Sequence, residues 1–342
     1  MNPLLSNKEI LEDLIIETAT HFSLPQTYIE KDFHVYLMLK SIADSPYSES
    51  AIFKGGTALS RVWKLTERFS EDVDICVNPK AKTSFEKLKK EKDFIANEVI
   101  KTYPKIDGHK DEKKGGHIRK TIHPFPKVIT SPQSMDINEN IVLEITAVRP
   151  ITEILHSKEV IDSYIGEFLK AISKDDLIEK FDIKSFDFSV MLPEHTLGDK
   201  LCRMIKLANS EDSVTQIGSK IRDLYDIHKL LQNKRVRDVF NSDKFVEIFN
   251  HAVQEENRNG ETILTFSETS LFLNPNEILE LQKENYKKIT PMIFGIPPTL
   301  SEIAKTLSEN FYRFMELDNL TTKSLSGEIL KGLILLDSPC WT

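Results

Sequence analysis

Phe53-Lys54-Gly55-Gly56-Thr57-Ala58-Leu59-Ser60, followed by Arg68-Phe69-Ser70-Glu71-Asp72-Val73-Asp74-Ile75, decides how the rest of the chain is read. The short apolar run Ala51-Ile52-Phe53 predicts a buried strand that stops at Lys54-Gly55-Gly56. From Thr57 to Leu65 the spacing turns helical, with Leu59, Val62 and Trp63 on one side. Two glycines between a strand and a helix let the backbone approach a ligand closely, and their N–H groups suit a phosphate. A plain strand-to-helix turn is the competing reading. Val73 to Val77 is brief and β-branched, which predicts a second strand. Asp72 and Asp74 are then two residues apart on one face, roughly 6–7 Å at Cα, with Val73, Ile75 and Val77 on the other. Carboxylates so placed can share a divalent cation or bridge two. Left unneutralised beside a glycine turn, they would be costly. An isolated Asp-x-Asp is otherwise a solvated edge.

Further along, Ile141-Val142-Leu143-Glu144-Ile145-Thr146-Ala147-Val148 is the clearest strand in the sequence, ended by Arg149-Pro150. Glu144 falls on the face opposite Leu143 and Ile145, and a mid-strand Glu is disfavoured by propensity. If this strand neighbours Val73 to Val77, three acids form a metal cage with room left for phosphates. Ile10 to Thr20, Ile29 to Ile42 and the Lys-rich Phe85 to Thr102 read as helices. After about Ser189 only helix-period patterns follow a possible strand at Phe186 to Met191. They are Pro193 to Asn209, Lys220 to Leu231, Val236 to Val253, Pro275 to Lys287 and Leu300 to Met315. The organisation expected is a mixed α/β (α+β) domain over 1–190 and a helical domain over 191–342.

Composition bounds the rest. The 342 residues are 40 % apolar and 29 % charged, enough for a substantial core. No run nears ~18 uninterrupted apolar residues, so no membrane partner is expected. The N-terminus has acids inside its apolar pattern and no small-residue cleavage site. Cys76, Cys202 and Cys340 have no CxxC spacing, which fits a reducing, cytoplasmic setting. The formal net charge of −8 argues against indiscriminate coating of nucleic acid. None of the nine histidines has a zinc spacing, and the P-loop, GxGxxG and GxSxG patterns are missing.

Gly-Gly-Thr at a helix start, an acid-x-acid pair on the next strand and a lone acid on a later strand resemble the DNA-polymerase-β-like nucleotidyltransferases. More narrowly, Phe53 to Ser60 with Arg68 to Ile75 resembles the AbiEii family, the nucleotidyltransferase-like toxins of abortive-infection toxin–antitoxin pairs. Ile29-Glu30-Lys31-Asp32-Phe33 resembles that family's upstream helix motif. Glu194 to Lys200 and Ile221-Arg222-Asp223-Leu224-Tyr225-Asp226-Ile227 resemble its later motifs. The likeness spans roughly Gln26 to Leu231. It implies a polymerase-β-like domain (a mixed sheet with flanking helices) and transfer of NMP from an NTP with Mg²⁺ or Mn²⁺. It also implies an RNA, tRNA-like acceptor and a cognate antitoxin. Asp72, Asp74 and Glu144 would hold metal, with Glu144 on a second metal or activating the acceptor hydroxyl. Lys54, Gly55, Gly56, Thr57, Ser70, Arg222, Asp223 and Asp226 would meet the nucleotide, with Lys200 on the triphosphate's outer charge.

The residues alone leave some of this open. Lys200 either snorkels past an apolar stripe or reaches a phosphate as a point charge. Arg222 and Asp226, four apart, share a helix face, which is equally the spacing of a surface ion pair. The resemblance implies that Asp223 or Asp226 orients Lys200 or contacts the nucleotide. Between Lys80 and Lys120 stand 13 Lys/Arg and seven Asp/Glu, a net +6 that leaves −14 for the rest of the chain. That segment is either a solvated helix face and loop or a platform for an RNA, with Lys89, Lys90, Lys113, Lys114 and Arg119 as its contacts. Rival functions are a DxD glycosyltransferase, in which the glycine turn has no task, a protein AMP-transferase, and a nucleotide-binding module without turnover.

Overall fold

The computed structural model describes residues 2–77, 84–129, 139–147, 154–256, 266 and 269–318. Lys80, Lys82, Val148, Arg149, Pro150 and Cys340 lie outside the described residues. The chain divides into two compact units, one over 1–192 plus 291–295 and one over 193–290 plus 296–342.

The first unit is built on one seven-stranded mixed sheet. Its strands are β1 (Ala51–Lys54), β2 (Val73–Val77), β3 (Lys113–Lys114), β4 (Ile118–His123), β5 (Ile141–Ala147), β6 (His156–Ile161) and β7 (Phe186–Met191). They lie in the order β3-β4-β5-β2-β1-β7-β6. β1 runs antiparallel to β2, and β2 runs parallel to β5. Helices α1 (Lys8–Phe22), α2 (Gln26–Ala43), α3 (Gly55–Arg61), α4 (Phe85–Thr102), α5 (Tyr164–Ala171) and α6 (Asp175–Phe181) complete it.

Alternation divides the sheet into a back and a front face. Phe53, Val73, Ile75, Val77, Leu143, Ile145 and Val190 point to the back, into one core with Ile29, Phe33 and Leu37 of α2 and Leu88, Ile95 and Val99 of α4. α2 is buried around most of its girth, so its charged residues have had to find partners inside the protein. The intervening residues Ile52, Lys54, Asp74, Cys76, Glu144 and Thr146 face front. There, Ile52 and Cys76 pack with Ile154 and Met191 in a small separate cluster.

The second unit is helical: α7 (Pro193–Ala208), α8 (Ser213–Ser219), α9 (Ile221–Gln232), α10 (Lys234–Phe240), α11 (Asp243–Glu256), α12 (Ser270–Leu273), α13 (Pro275–Glu280), α14 (Lys283–Ile289), α15 (Leu300–Glu309) and a helical stretch over 311–318. Three expected helices are each broken in two, the one expected over Leu300 to Met315 dividing at Asn310. The pattern from Val236 to Val253 is interrupted at Asn241-Ser242, where Arg313 donates to the carbonyls of Phe240 and Ser242. Those carbonyls are satisfied by the guanidinium, so the chain can turn without orphaned groups. The pattern from Pro275 to Lys287 likewise divides between α13 and α14. Phe240, Phe245, Phe249, Phe266, Phe272 and Phe314 form a chain of aromatic contacts with centroids 4.8–6.4 Å apart. No described helix is long and apolar enough to cross a membrane.

Candidate active site

Sheet register gathers the charges of the front face into one row. Lys54 pairs across to Asp74, Asp74 to Glu144, Glu144 to Lys120 and Lys120 to Lys113. Register partners share a face, and neighbouring strands stand roughly 4.8 Å apart. The row therefore reads plus, minus, minus, plus, plus from β1 to the sheet edge at β3. Asp74 and Glu144 are half-buried side by side, and Glu144 makes no hydrogen bond or ion pair with a described residue.

The glycine turn abuts this row. Gly55 sits at φ +81°, a left-handed conformation open to glycine, and a Cβ there would strike the Asp74 carboxylate. At Gly56 a Cβ would come within 2.5 Å of Arg68 Nη2 and 3.0 Å of Ser70 Oγ. Both glycines thus let β1–α3 lie flat against the β2 approach. Thr57, on the first turn of α3, donates from its hydroxyl to the Asp72 carbonyl at 2.7 Å and lies 2.9 Å from Ser70 Oγ. These bonds fasten the Asp72 backbone to the helix start.

Two of the three acids of the expected cage meet in the sheet. β2 begins at Val73, so Asp72 stands one residue ahead of it, and only Asp74 and Glu144 are register partners. Among the described residues no group of three or more His, Cys, Asp or Glu could by itself hold a metal ion. The donor set still suits a hard divalent cation. Mg²⁺ is commonly held by one or two carboxylates, with substrate phosphates and water filling the other positions.

Glu30, Lys31 and Asp32 tie α2 to three different segments, and this is the support that sequence reasoning did not find. Glu30 Oε1 accepts from the backbone N–H groups of Val128 at 2.5 Å and Ile129 at 3.3 Å. Lys31, 1 % exposed, reaches Glu71 at 2.5 Å. Burial lowers the Lys31 pKa, while the charges of Glu71 and Asp72 oppose that shift. Asp32 lies 2.5 Å from Arg61 Nε and accepts from the Tyr164 N–H at 2.8 Å. Arg61 also stacks on the Tyr164 ring, 3.4 Å from its centroid. On the far side of Lys31's partner, Tyr28 stacks on Phe69 at 3.9 Å, and Phe69 N–H donates to Met292 at 2.7 Å. Burial and Glu71 push the Tyr28 hydroxyl up to about 12. The loop 67–72 is therefore held from its flanks while Asp72 and Asp74 stay half-exposed.

The basic segment is split by the sheet, and most of its proposed RNA contacts fall on the back. Arg119 pairs in register with Ile145, so it faces back, where it is 7 % exposed and lies 3.2 Å from Glu112. It is not part of an exposed platform. Lys114 is the register partner of Arg119. Lys89 and Lys90 ride on α4, whose apolar side packs on the back core, and Lys89 pairs with Glu86 at 2.5 Å. Of the five RNA contacts expected from this segment, Lys113 alone shares the face of Asp74 and Glu144. Lys120, one residue from Arg119, was not singled out.

In the second unit Lys200 is 5 % exposed and held by both aspartates, Asp223 Oδ1 at 2.5 Å and Asp226 Oδ2 at 2.8 Å. Asp223 Oδ2 also pairs with Arg203 at 2.8 Å. Burial alone would raise the Asp223 carboxyl, but the charges and hydrogen bonds of Lys200 and Arg203 prevail and hold it well below the usual carboxylate range. Lys200 therefore does not snorkel. The two aspartates are three apart on α9, on one face, and that spacing was the readable signal.

The family described as nucleotidyl transferase AbiEii toxin, type IV toxin–antitoxin system, matches residues 37–316, most of the chain. The chain belongs to this family and is a nucleotidyltransferase of that toxin class. Membership implies a nucleoside triphosphate substrate, in general a divalent metal, and a cognate antitoxin. The match continues well past Leu231, where the quoted motifs end. Among solved structures, MenT4, a nucleotidyltransferase toxin from Mycobacterium tuberculosis, is similar over 90 % of this chain and 98 % of its own, with 14 % identity and a TM-score of 0.49. No curated protein matches the chain.

Proposed function

We propose that the protein transfers NMP from an NTP to the terminal hydroxyl of a tRNA-like RNA, with Mg²⁺ (or Mn²⁺), in the cytoplasm. The observation that carries this reading is the Asp74–Glu144 register pair beside Gly55, two carboxylates set against a glycine turn. Asp74 and Glu144, with Asp72, would hold the metal, whose contribution is to neutralise developing charge on the phosphates. Lys54, Gly55, Gly56, Thr57 and Ser70 receive the triphosphate, the turn offering N–H groups and the lysine a compact charge. The acceptor oxygen attacks the α-phosphorus, the α–β P–O bond breaks, and pyrophosphate leaves. Glu144, lacking a described partner, would either hold a second metal or take the hydroxyl proton. Catalysis is then mainly positioning and charge neutralisation. In the helical unit, Lys200, Arg222, Asp223 and Asp226 are proposed as nucleotide-binding residues, Lys200 being oriented by both aspartates. A transferase domain over 1–190 and a helical domain over 191–342 are proposed, apart from 291–295, which groups with the first unit.

The test is incubation of the purified protein with each α-labelled NTP, Mg²⁺, and either total tRNA or cell lysate. Label on RNA, lost in Asp74→Ala, is the expected result. Label on protein alone would instead assign a protein-modifying nucleotidyltransferase, and nucleotide binding without transfer would mark a binding module.

A further inference from the structure

We infer that Lys120 and Lys113 form the acceptor track of the front face, holding backbone phosphates of the incoming RNA strand. The inference rests on the metal and triphosphate assignments proposed above. It starts from the direction of the row. Lys54 and the glycine turn stand at the β1 end, Asp74 and Glu144 in the middle, and Lys120 and Lys113 at the β4–β3 end. In phosphoryl transfer the attacking and leaving oxygens lie roughly in line across the phosphorus. With pyrophosphate directed to the Gly55 end, the acceptor hydroxyl arrives from the β5–β4 side. The first groups it passes are Lys113, at the sheet edge, and Lys120, one strand from Glu144.

Their surroundings agree with that task. Lys120 is half-buried with a carboxylate as its register partner, yet its ammonium makes no hydrogen bond or ion pair with any described residue. Lys113 is exposed and likewise makes none. By contrast, several other basic residues of the same segment are engaged. Arg119 is bound to Glu112, Lys89 to Glu86, Lys105 to Asp107 and Glu112, and Lys101 to Glu98. Two lysines opposite one another on strands roughly 4.8 Å apart suit phosphodiester oxygens and carry no base readout. The track therefore positions any RNA end rather than selecting a sequence.

The experiment measures transfer and binding with 5′-labelled total tRNA across a salt series, using the full chain. Lys120→Ala should raise KM for tRNA about tenfold, the effect of ~1.4 kcal/mol, with KM for the NTP within twofold. The slope of log affinity against log salt should flatten by roughly 0.7–0.9 for Lys120→Ala, and by about twice that when Lys113→Ala is added. Lys120→Arg should retain the slope, which separates lost charge from misfolding. Lys89→Glu with Lys90→Glu, on the helix behind the sheet, should change tRNA affinity less than twofold. If Asp74→Ala abolishes transfer but Lys120→Ala leaves tRNA KM and salt slope unchanged, the track is wrong and the catalytic assignment stands. If Asp74→Ala still transfers, the catalytic assignment itself fails. Should tRNA neither bind nor accept label while a lysate protein does, the RNA track is overturned as well.

Discussion

Two groups of lysines and acids are built from the same residue types in opposite ways. On the front of the sheet, Asp74 and Glu144 sit half-exposed as neighbours, and Glu144 has no described partner. In the helical unit, Asp223 and Asp226 are buried, and Lys200 between them, with Arg203 on Asp223, answers both charges. Like charges placed side by side in a partly desolvated site raise each other's energy unless a cation joins them. Opposite charges in contact inside the protein are already neutral, and removing one is what costs. The first arrangement leaves Glu144 open to a group from outside the chain. The second holds the chain together first, whatever nucleotide contact it adds.

The comparison breaks most visibly if the front row is removed. Asp74→Ala should lower transfer at least about a thousand-fold, since charge neutralisation at phosphate contributes several kcal/mol. Asp72→Ala should leave less than a tenth of the activity. Both variants should unfold within ~0.5 kcal/mol of the parent in urea, because these are partly exposed groups not fixed in the core. A large loss of stability in Asp74→Ala would mean that its carboxylate is structural, like those around Lys200.

Lys200→Ala should do the reverse. Two buried aspartates deprived of the cation they share, with Arg203 still on Asp223, should cost about 3–5 kcal/mol in urea unfolding. Lys200→Met combined with Asp223→Asn and Asp226→Asn removes all three charges and should recover most of that loss. Nucleotide affinity measured in this folded triple variant separates the two roles of Lys200. A drop shows contact with phosphate, while an unchanged affinity leaves Lys200 as an internal counter-ion.

How much of this was legible in the sequence depends on period. β2 was readable as a brief β-branched run, β5 as an apolar run around Glu144, and α4 because its helix-period spacing coincides with Phe85 to Thr102. The pairing of β2 with β5 was not readable, since strand order depends on contacts between segments more than sixty residues apart. Nor was the division of the basic segment. In a strand a one-residue step changes the face, so Lys120 and Arg119 differ only once the register with β5 is known. Composition merges the two faces into one net charge of +6. The breaks at Asn241-Ser242 and near Leu281 were hidden for a related reason. Apolar spacing can continue through a bend when a distant side chain, here Arg313, satisfies the freed carbonyls.

A smaller effect is expected at the glycine turn. Gly55→Ala would place a side chain in a left-handed backbone conformation, about 1–2 kcal/mol for an L-residue, and would displace the Asp74 carboxylate. Transfer should fall more than stability does. In Gly56→Ala the clash falls mainly on the end of the Arg68 side chain, so a milder loss of transfer is expected. Equal losses in the two variants would mean that the turn needs small residues generally and not the Gly55–Asp74 contact in particular.

The mildest signal, read per unit of pH, should come from the acid response of the helical unit. The Asp223 carboxyl titrates below its ordinary value of 3.8 when folded, so the unfolded chain binds the proton more readily. Stability contributed by this group is therefore complete above the ordinary aspartate range and is lost as pH falls below it toward the folded value. One proton taken up on unfolding sets the slope at no more than about 1.4 kcal/mol per pH unit. Urea unfolding of the parent and of Asp223→Asn, followed between pH 5 and pH 3, isolates that contribution. The parent should lose more stability than the variant over the acid end of this window, because the variant has no carboxyl to protonate at that position. Parallel pH curves would show that Lys200 and Arg203 do not hold Asp223 ionised, and the contrast with the front row would then lose its electrostatic basis.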